Sequence, residues 1–139
     1  MKAKRNVVRL KNCAEPALST IFCISAHEND YRLTWSINQE LGLAFKQCAN
    51  SLVVSDGNEF TCFLHKDEFQ KIMLVSNRCD NGFLIKKYKN FDFFLKFDSN
   101  LSEEQTAYWY NKLKHAPLVS AFFLVPDNQK KIFFFDFFE

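Results

Sequence analysis

Phenylalanine crowds into three short stretches of this chain, residues 91 to 97, 121 to 125 and 131 to 139, and supplies 17 of its 139 residues. Aromatic and β-branched runs favour strands, because flat or branched side chains fit a pleated, half-buried surface. So much aromatic volume needs a core to receive it. A chain of this length makes a single core, since about 100 to 200 residues is the usual domain and buries roughly two-thirds of its unfolded surface. Only three Gly and three Pro are spread along it, so no flexible or repeated segment marks a boundary, and residues 1 to 139 are expected to form one domain.

Charge excludes little. A formal net charge of +2 neither demands nor forbids a polyanionic partner. Residues 1 to 11 are basic but lack the apolar core of a secretory signal, and no stretch approaches the roughly 20 apolar residues that cross a bilayer. Five cysteines, an odd number without tight spacing, are not a disulfide framework. The expectation is a cytoplasmic protein that does not engage a membrane.

The pattern of elements follows from local signals. Residues 6 to 11 read as an edge strand and 19 to 25 as a central one. Asn29 or Asp30 can cap a helix running through Leu41, which Gly42 ends with a left-handed residue. Leu33, Ile37 and Leu41 form its core stripe, whereas Tyr31, Trp35 and Asn38 fall about half a turn away, at roughly 100° per residue, and are expected to face a partner. Strands are predicted at 43 to 48, 60 to 65, 71 to 76, 83 to 88 and 91 to 97, joined as an antiparallel meander by the Gly- and Asn-rich turns at 56 to 58 and 79 to 82. Ser102 and Gln105 have capping-box spacing at the start of a second helix, 102 to 114, with Thr106, Trp109, Tyr110 and Leu113 as its apolar stripe. A strand at 118 to 125 and a Phe-rich tail complete the chain.

Two β-α-β crossings around a meander predict an α+β two-layer sandwich, a mainly antiparallel sheet with both helices on one face. An elaborated ferredoxin-like plan describes it best, with a profilin-like or longin-like arrangement as the alternative.

Two passages carry a family resemblance: Asn-Asp-Tyr-Arg-Leu-Thr-Trp-Ser-Ile-Asn-Gln-Glu-Leu at 29 to 41, and Leu-Ile-Lys-Lys-Tyr-Lys-Asn-Phe-Asp-Phe-Phe-Leu at 84 to 95. They resemble the uncharacterised proteins of Bacteroidetes-type bacteria named for an Ile-Pro-Glu-x-x-x-Val-Asp-Tyr motif. At that motif this chain keeps Ile85 and Asp92, has Phe91 and Phe93 for Val and Tyr, and Lys86 and Lys87 for Pro and Glu. Lys87 reverses a charge, so no role that needs the Glu carboxylate carries over. The resemblance runs from about residue 19 onward and implies a small cytoplasmic protein with no established activity.

Catalytic signatures are sparse. No Gly-rich phosphate loop or Ser-centred elbow occurs. Cys23 with His27 and Cys62 with His65 offer ligand types for zinc, yet residues three apart on a strand project to opposite faces, so no metal or other cofactor is expected. The cysteines lie in apolar strands, where thiols behave as small hydrophobes rather than nucleophiles. Asp30 reads as a helix-terminus charge. Asp92 is expected to pair with Lys87 or Lys89.

The function expected is therefore a non-catalytic interaction module. It would bind a protein partner or a second copy of itself through Tyr31, Trp35 and Asn38 and through a C-terminal strand carrying Phe133, Phe135 and Phe137, since a bare apolar edge is a template for pairing. The alternative is a single-stranded RNA accessory protein using Lys86, Lys87 and Lys89 around Tyr88, because lysines neutralise phosphates while aromatic rings stack bases. A small-ligand binder or enzyme is the third reading.

Overall fold

The apolar runs become strands covered on both faces. A computed structural model describes residues 19–48, 52–53 and 57–133; the strand expected at 6 to 11, the basic residues before it, and Phe135 and Phe137 lie outside them. β1 (Ile21–Ser25), β6 (Lys71–Ser76) and β9 (Phe93–Phe97) are buried almost throughout. A strand with cover on each side has no solvent face and so no polar alternation, which is why 93 to 97 reads Phe-Phe-Leu-Lys-Phe.

Among the described residues six strands form the sheet, in the order β10-β1-β9-β6-β5-β2, where β2 is Lys46–Gln47, β5 is Cys62–Lys66 and β10 is Ala121–Leu124. Every neighbouring pair is antiparallel. β10-β1-β9-β6 repeats the strand order of a ferredoxin-like sheet, and β5 and β2 extend it at one edge. The structure is thus the α+β two-layer sandwich that the pattern predicts.

Helix α1 (Asp30–Leu41) starts where Asn29 Oδ1 accepts the Arg32 amide at 2.9 Å and stops at Gly42, whose φ of 67° is left-handed. Helix α2 (Glu103–Lys114) carries the full Ser102–Gln105 capping box. Leu33 and Ile37 from α1 and Trp109 and Leu113 from α2 pack on one sheet face, against Phe22, Ile24, Leu74 and Leu95 among others. On the other face Ile21, Cys23, Met73, Val75 and Phe94 are covered by Leu84, Ile85, Tyr88, Val125 and Phe133, which come from turns and not from a third helix.

Two strand expectations fail for one kind of reason, a side chain that claims backbone groups before a ladder can, and a third is shortened by a backbone turn. At 83 to 88, β7 (Arg78–Cys79) and β8 (Gly82–Phe83) make a separate two-stranded ribbon, and Lys86–Tyr88 winds into a 3₁₀ turn. Asn77 causes this: its Oδ1 accepts the Ile85 amide at 2.8 Å, and its Nδ2 donates to the Tyr88 and Phe91 carbonyls at 3.1 and 3.0 Å. β6 therefore pairs directly with β9. The strand expected at 43 to 48 shrinks to β2, because Asn38 Oδ1 takes the Phe45 amide at 2.8 Å and His65 Nδ1 takes that of Ala44 at 3.1 Å. The strand expected at 118 to 125 starts late, since the Val119 amide turns back to the Ala116 carbonyl at 3.2 Å. A further small ribbon pairs β3 (Leu52–Val53) with β4 (Glu59–Phe60).

Phe133 is likewise not in a strand. It follows the 3₁₀ turn Asp127–Ile132 and packs inward, its ring stacked 5.5 Å from Tyr88 and edge-on to Phe94 at 5.0 Å.

Candidate functional site

The outer face of α1 is the most aromatic exposed surface that periodicity pointed to. Tyr31 is 61% exposed and Trp35 64%, one turn apart on the side opposite Leu33 and Ile37. They differ in attachment. Tyr31 packs edge-on to Phe63 at 5.8 Å and donates from its hydroxyl to Gln47 Oε1 at 2.6 Å, which ties it to the β2 edge. Trp35 has no ring contact or hydrogen bond among the described residues. Asn38 does not join them: its amide holds the Phe45 backbone from both sides, at 2.8 and 3.3 Å, so its polar atoms serve the helix exit and are not displayed.

The lysine turn separates in the same way. Lys86, Lys87 and Lys89 are exposed together, but Tyr88 is buried among Phe91, Phe123 and Phe133 with its hydroxyl bonded to Gln129. Burial, with a smaller contribution from Cys23, pushes the Tyr88 phenol above its ordinary value. A nucleic-acid base has no access to that ring. Of the other residues expected to face a partner, Phe133 belongs to the protein's own core, and Phe135 and Phe137 lie outside the described residues.

Asp92 does not pair with Lys87 or Lys89, which the 3₁₀ turn carries away from it. Its Oδ2 accepts the Ala26 amide at 2.9 Å and its Oδ1 takes Arg78 Nε at 2.6 Å, while the Arg78 guanidinium also lies over the Phe83 ring at 5.4 Å. Both oxygens are engaged in fastening β1 and β7 to the start of β9.

His65 and Asp67 look like an oriented base: Nε2 lies 2.9 Å from Asp67 Oδ2. The His65 hydrogen bond, followed by the Phe69 amide, holds the Asp67 carboxyl below the usual carboxylate range. Yet Nδ1, the nitrogen a base would use, already accepts the Ala44 N–H, so the pair joins the α1 exit to the β5–β6 turn. Cys62 lies in the core on the far face, whereas His65 packs on Phe45 at 5.9 Å beneath the helices, so the two do not converge. Among the described residues no group of three or more His, Cys, Asp or Glu is placed to hold a metal, and no helix is long and apolar enough to cross a membrane.

Burial pushes the Cys23 thiol up to about 12. Since the thiolate is the reactive form, Cys23 should stay unmodified by iodoacetamide in the native protein at neutral pH and react only after unfolding. Peptide mapping after alkylation checks this, and native labelling at the rate of a free thiol would mean that β1 opens.

Sequence reasoning passed over three features. Phe69 stands 86% exposed at the tip of the β5–β6 turn, Tyr108 is exposed on α2, and Lys130 is buried at the end of the sheet beside Thr20 and Asn100. Phe69 was legible as an aromatic inside Asp67-Glu68-Phe69-Gln70; nothing local distinguishes Lys130 from its neighbour Lys131. Compared with protein-family models and with curated proteins, the chain matches none.

Proposed function

We propose that this protein is a non-catalytic interaction module of the cytosol whose outer α1 face docks a protein partner. The observation that carries the reading is Trp35, a large, stiff ring left 64% exposed on a regular helix with no ring contact or hydrogen bond among the described residues. Aromatics of this kind dominate interface energetics when a partner desolvates them. Asp30 and Glu40 each stand about 140° around the helix from Trp35, at roughly 100° per residue, and Glu28 already pairs Arg32 at 3.1 Å, so the rings and not a charge pattern define the face. The partner of best fit therefore presents an apolar surface that can desolvate the rings. Membership of the Ile-Pro-Glu-x-x-x-Val-Asp-Tyr family is part of the same proposal and rests on the two passages that carry the resemblance. Self-association through the C-terminal edge draws no support from Phe133, whose ring is engaged internally.

A Tyr31→Ala, Trp35→Ala double variant is expected to keep its far-ultraviolet circular dichroism and to lose, in affinity purification from the native host, the protein that the wild type retains. An unchanged set of bound proteins would refute the assignment. The exposed Lys86, Lys87 and Lys89 favour the single-stranded RNA reading, though only as phosphate contacts. In that case RNA affinity would fall steeply with salt and survive the double substitution.

A further inference from the structure

We propose that the cleft between the end of β10 and the first turns of α2 binds a small oxyanion, a phosphate or carboxylate group of a ligand, with Lys130 as its charged donor. The cleft, of about 370 Å³, is lined by Thr20, Asn100, Thr106, Val125, Asp127 and Lys130 among others, and shares no residue with the α1 face. A cavity of that size lies within the range of small-ligand sites.

The argument rests on donors in excess of acceptors. Lys130 is an ammonium with three N–H groups whose side chain is only 5% exposed. Its one ionic partner among the described residues is Asp127, 3.0 Å away, whose own side chain is 77% exposed and therefore strongly screened by water. A buried ammonium needs fuller compensation than that, because a charge out of water with unmatched protons is unfavourable. Asn100 adds to the surplus. Its Oδ1 accepts from Thr20 Oγ1 at 3.3 Å while the same hydroxyl takes the Leu101 amide at 2.9 Å, which leaves the exposed amide nitrogen without a partner among the described residues and open to a ligand in the cleft. An oxyanion, with several lone pairs on one centre, matches Lys130 and Asn100 together; a neutral carbonyl would leave the charge unanswered. Asp127 is the one carboxylate lining the cleft among the described residues, so it competes with the ligand for the ammonium.

The test is a titration followed by amide NMR, with inorganic phosphate in one arm and succinate in the other, at ionic strength held constant with sodium chloride. Saturable shifts at the Leu101 and Lys130 amides are expected. Response to phosphate alone assigns a phosphate-bearing ligand, response to succinate alone a carboxylate-bearing one. Lys130→Met, which keeps the apolar stem, should weaken binding about tenfold or more, the usual size for a lost charge-assisted hydrogen bond. Asp127→Asn, at an exposed position that spares the fold, should tighten it. No saturable shift with either anion, or an Asp127→Asn variant that binds no better than the wild type, would overturn the proposal, and the second result decides the matter even if Lys130→Met does not fold.

Discussion

Phe97→Ala should lower the unfolding free energy by about 3 to 5 kcal/mol, the range for deleting a buried phenylalanine ring from a core. The ring is fully buried at the end of β9, edge-on to Trp109 of α2 at 5.1 Å and to Phe22 of β1 at 6.3 Å, and stands opposite Ile72 of β6. It thus joins three strands to the second helix. Truncation loses the transfer energy of the ring and leaves a cavity that the flanking strands, buried on both faces, are poorly placed to close. Urea denaturation of the variant beside Phe69→Ala makes the comparison internal. The 86% exposure of Phe69 predicts a change within about 0.5 kcal/mol, typical of surface substitutions. A loss under about 1 kcal/mol for Phe97→Ala would mean that α2 is not seated on β9.

The contrast between those two phenylalanines also marks what the sequence made readable. Helix limits were legible because capping is chemistry between residues three or four apart: Asn29 with Arg32, Asn38 with Gly42, Ser102 with Gln105. The strand at 71 to 76 was legible for a related reason, an apolar run bounded by turn residues on both sides. The exposure of Tyr31 and Trp35 followed from helical periodicity, since residues half a turn from a core stripe face outward. What could not be read was decided across longer separations. Asn77 acts eight residues away on Ile85 and fourteen away on Phe91. His65 reaches back twenty-one residues to Ala44, and Tyr88 forward forty-one to Gln129. A tyrosine among lysines looks like a displayed ring until the turn that carries it is folded onto Phe133 and Phe123. The abundance of phenylalanine was misread in a related way. One covered face would leave a surplus for a partner, whereas a sheet covered on both faces takes Phe94 and Phe133 into a second core.

Asn77→Ala should be nearly as severe, about 3 kcal/mol, although it deletes no apolar surface. The side chain is fully buried and every polar atom on it is engaged: Nδ2 donates to the Tyr88 and Phe91 carbonyls, Oδ1 accepts the Ile85 amide, and the backbone adds a bond from the Asn77 amide to the Asp92 carbonyl at 2.8 Å. Alanine preserves the backbone bond and strands the Ile85 amide and the Phe91 carbonyl, whereas the Tyr88 carbonyl keeps the Phe91 amide at 2.9 Å; each buried unsatisfied group costs about 1 to 3 kcal/mol. The loss is held below the sum because the 3₁₀ turn can loosen and let water in. That relief is itself measurable: the Ile85 and Tyr88 amides should exchange with deuterium much faster in the variant, while those of α1 and β1 change only as far as global stability does. Asn77→Asp should do no better, since a carboxylate would face the Tyr88 and Phe91 carbonyls with no proton to offer. Unchanged exchange at Ile85 would show that the lid over the second core is held by packing of Leu84, Ile85 and Tyr88 alone. Because Asn77 fixes the turn that carries Lys86, Lys87 and Lys89 and touches nothing on α1, the same variant separates the two functional readings: partner binding at Trp35 should survive it, and any binding that depends on those lysines should not.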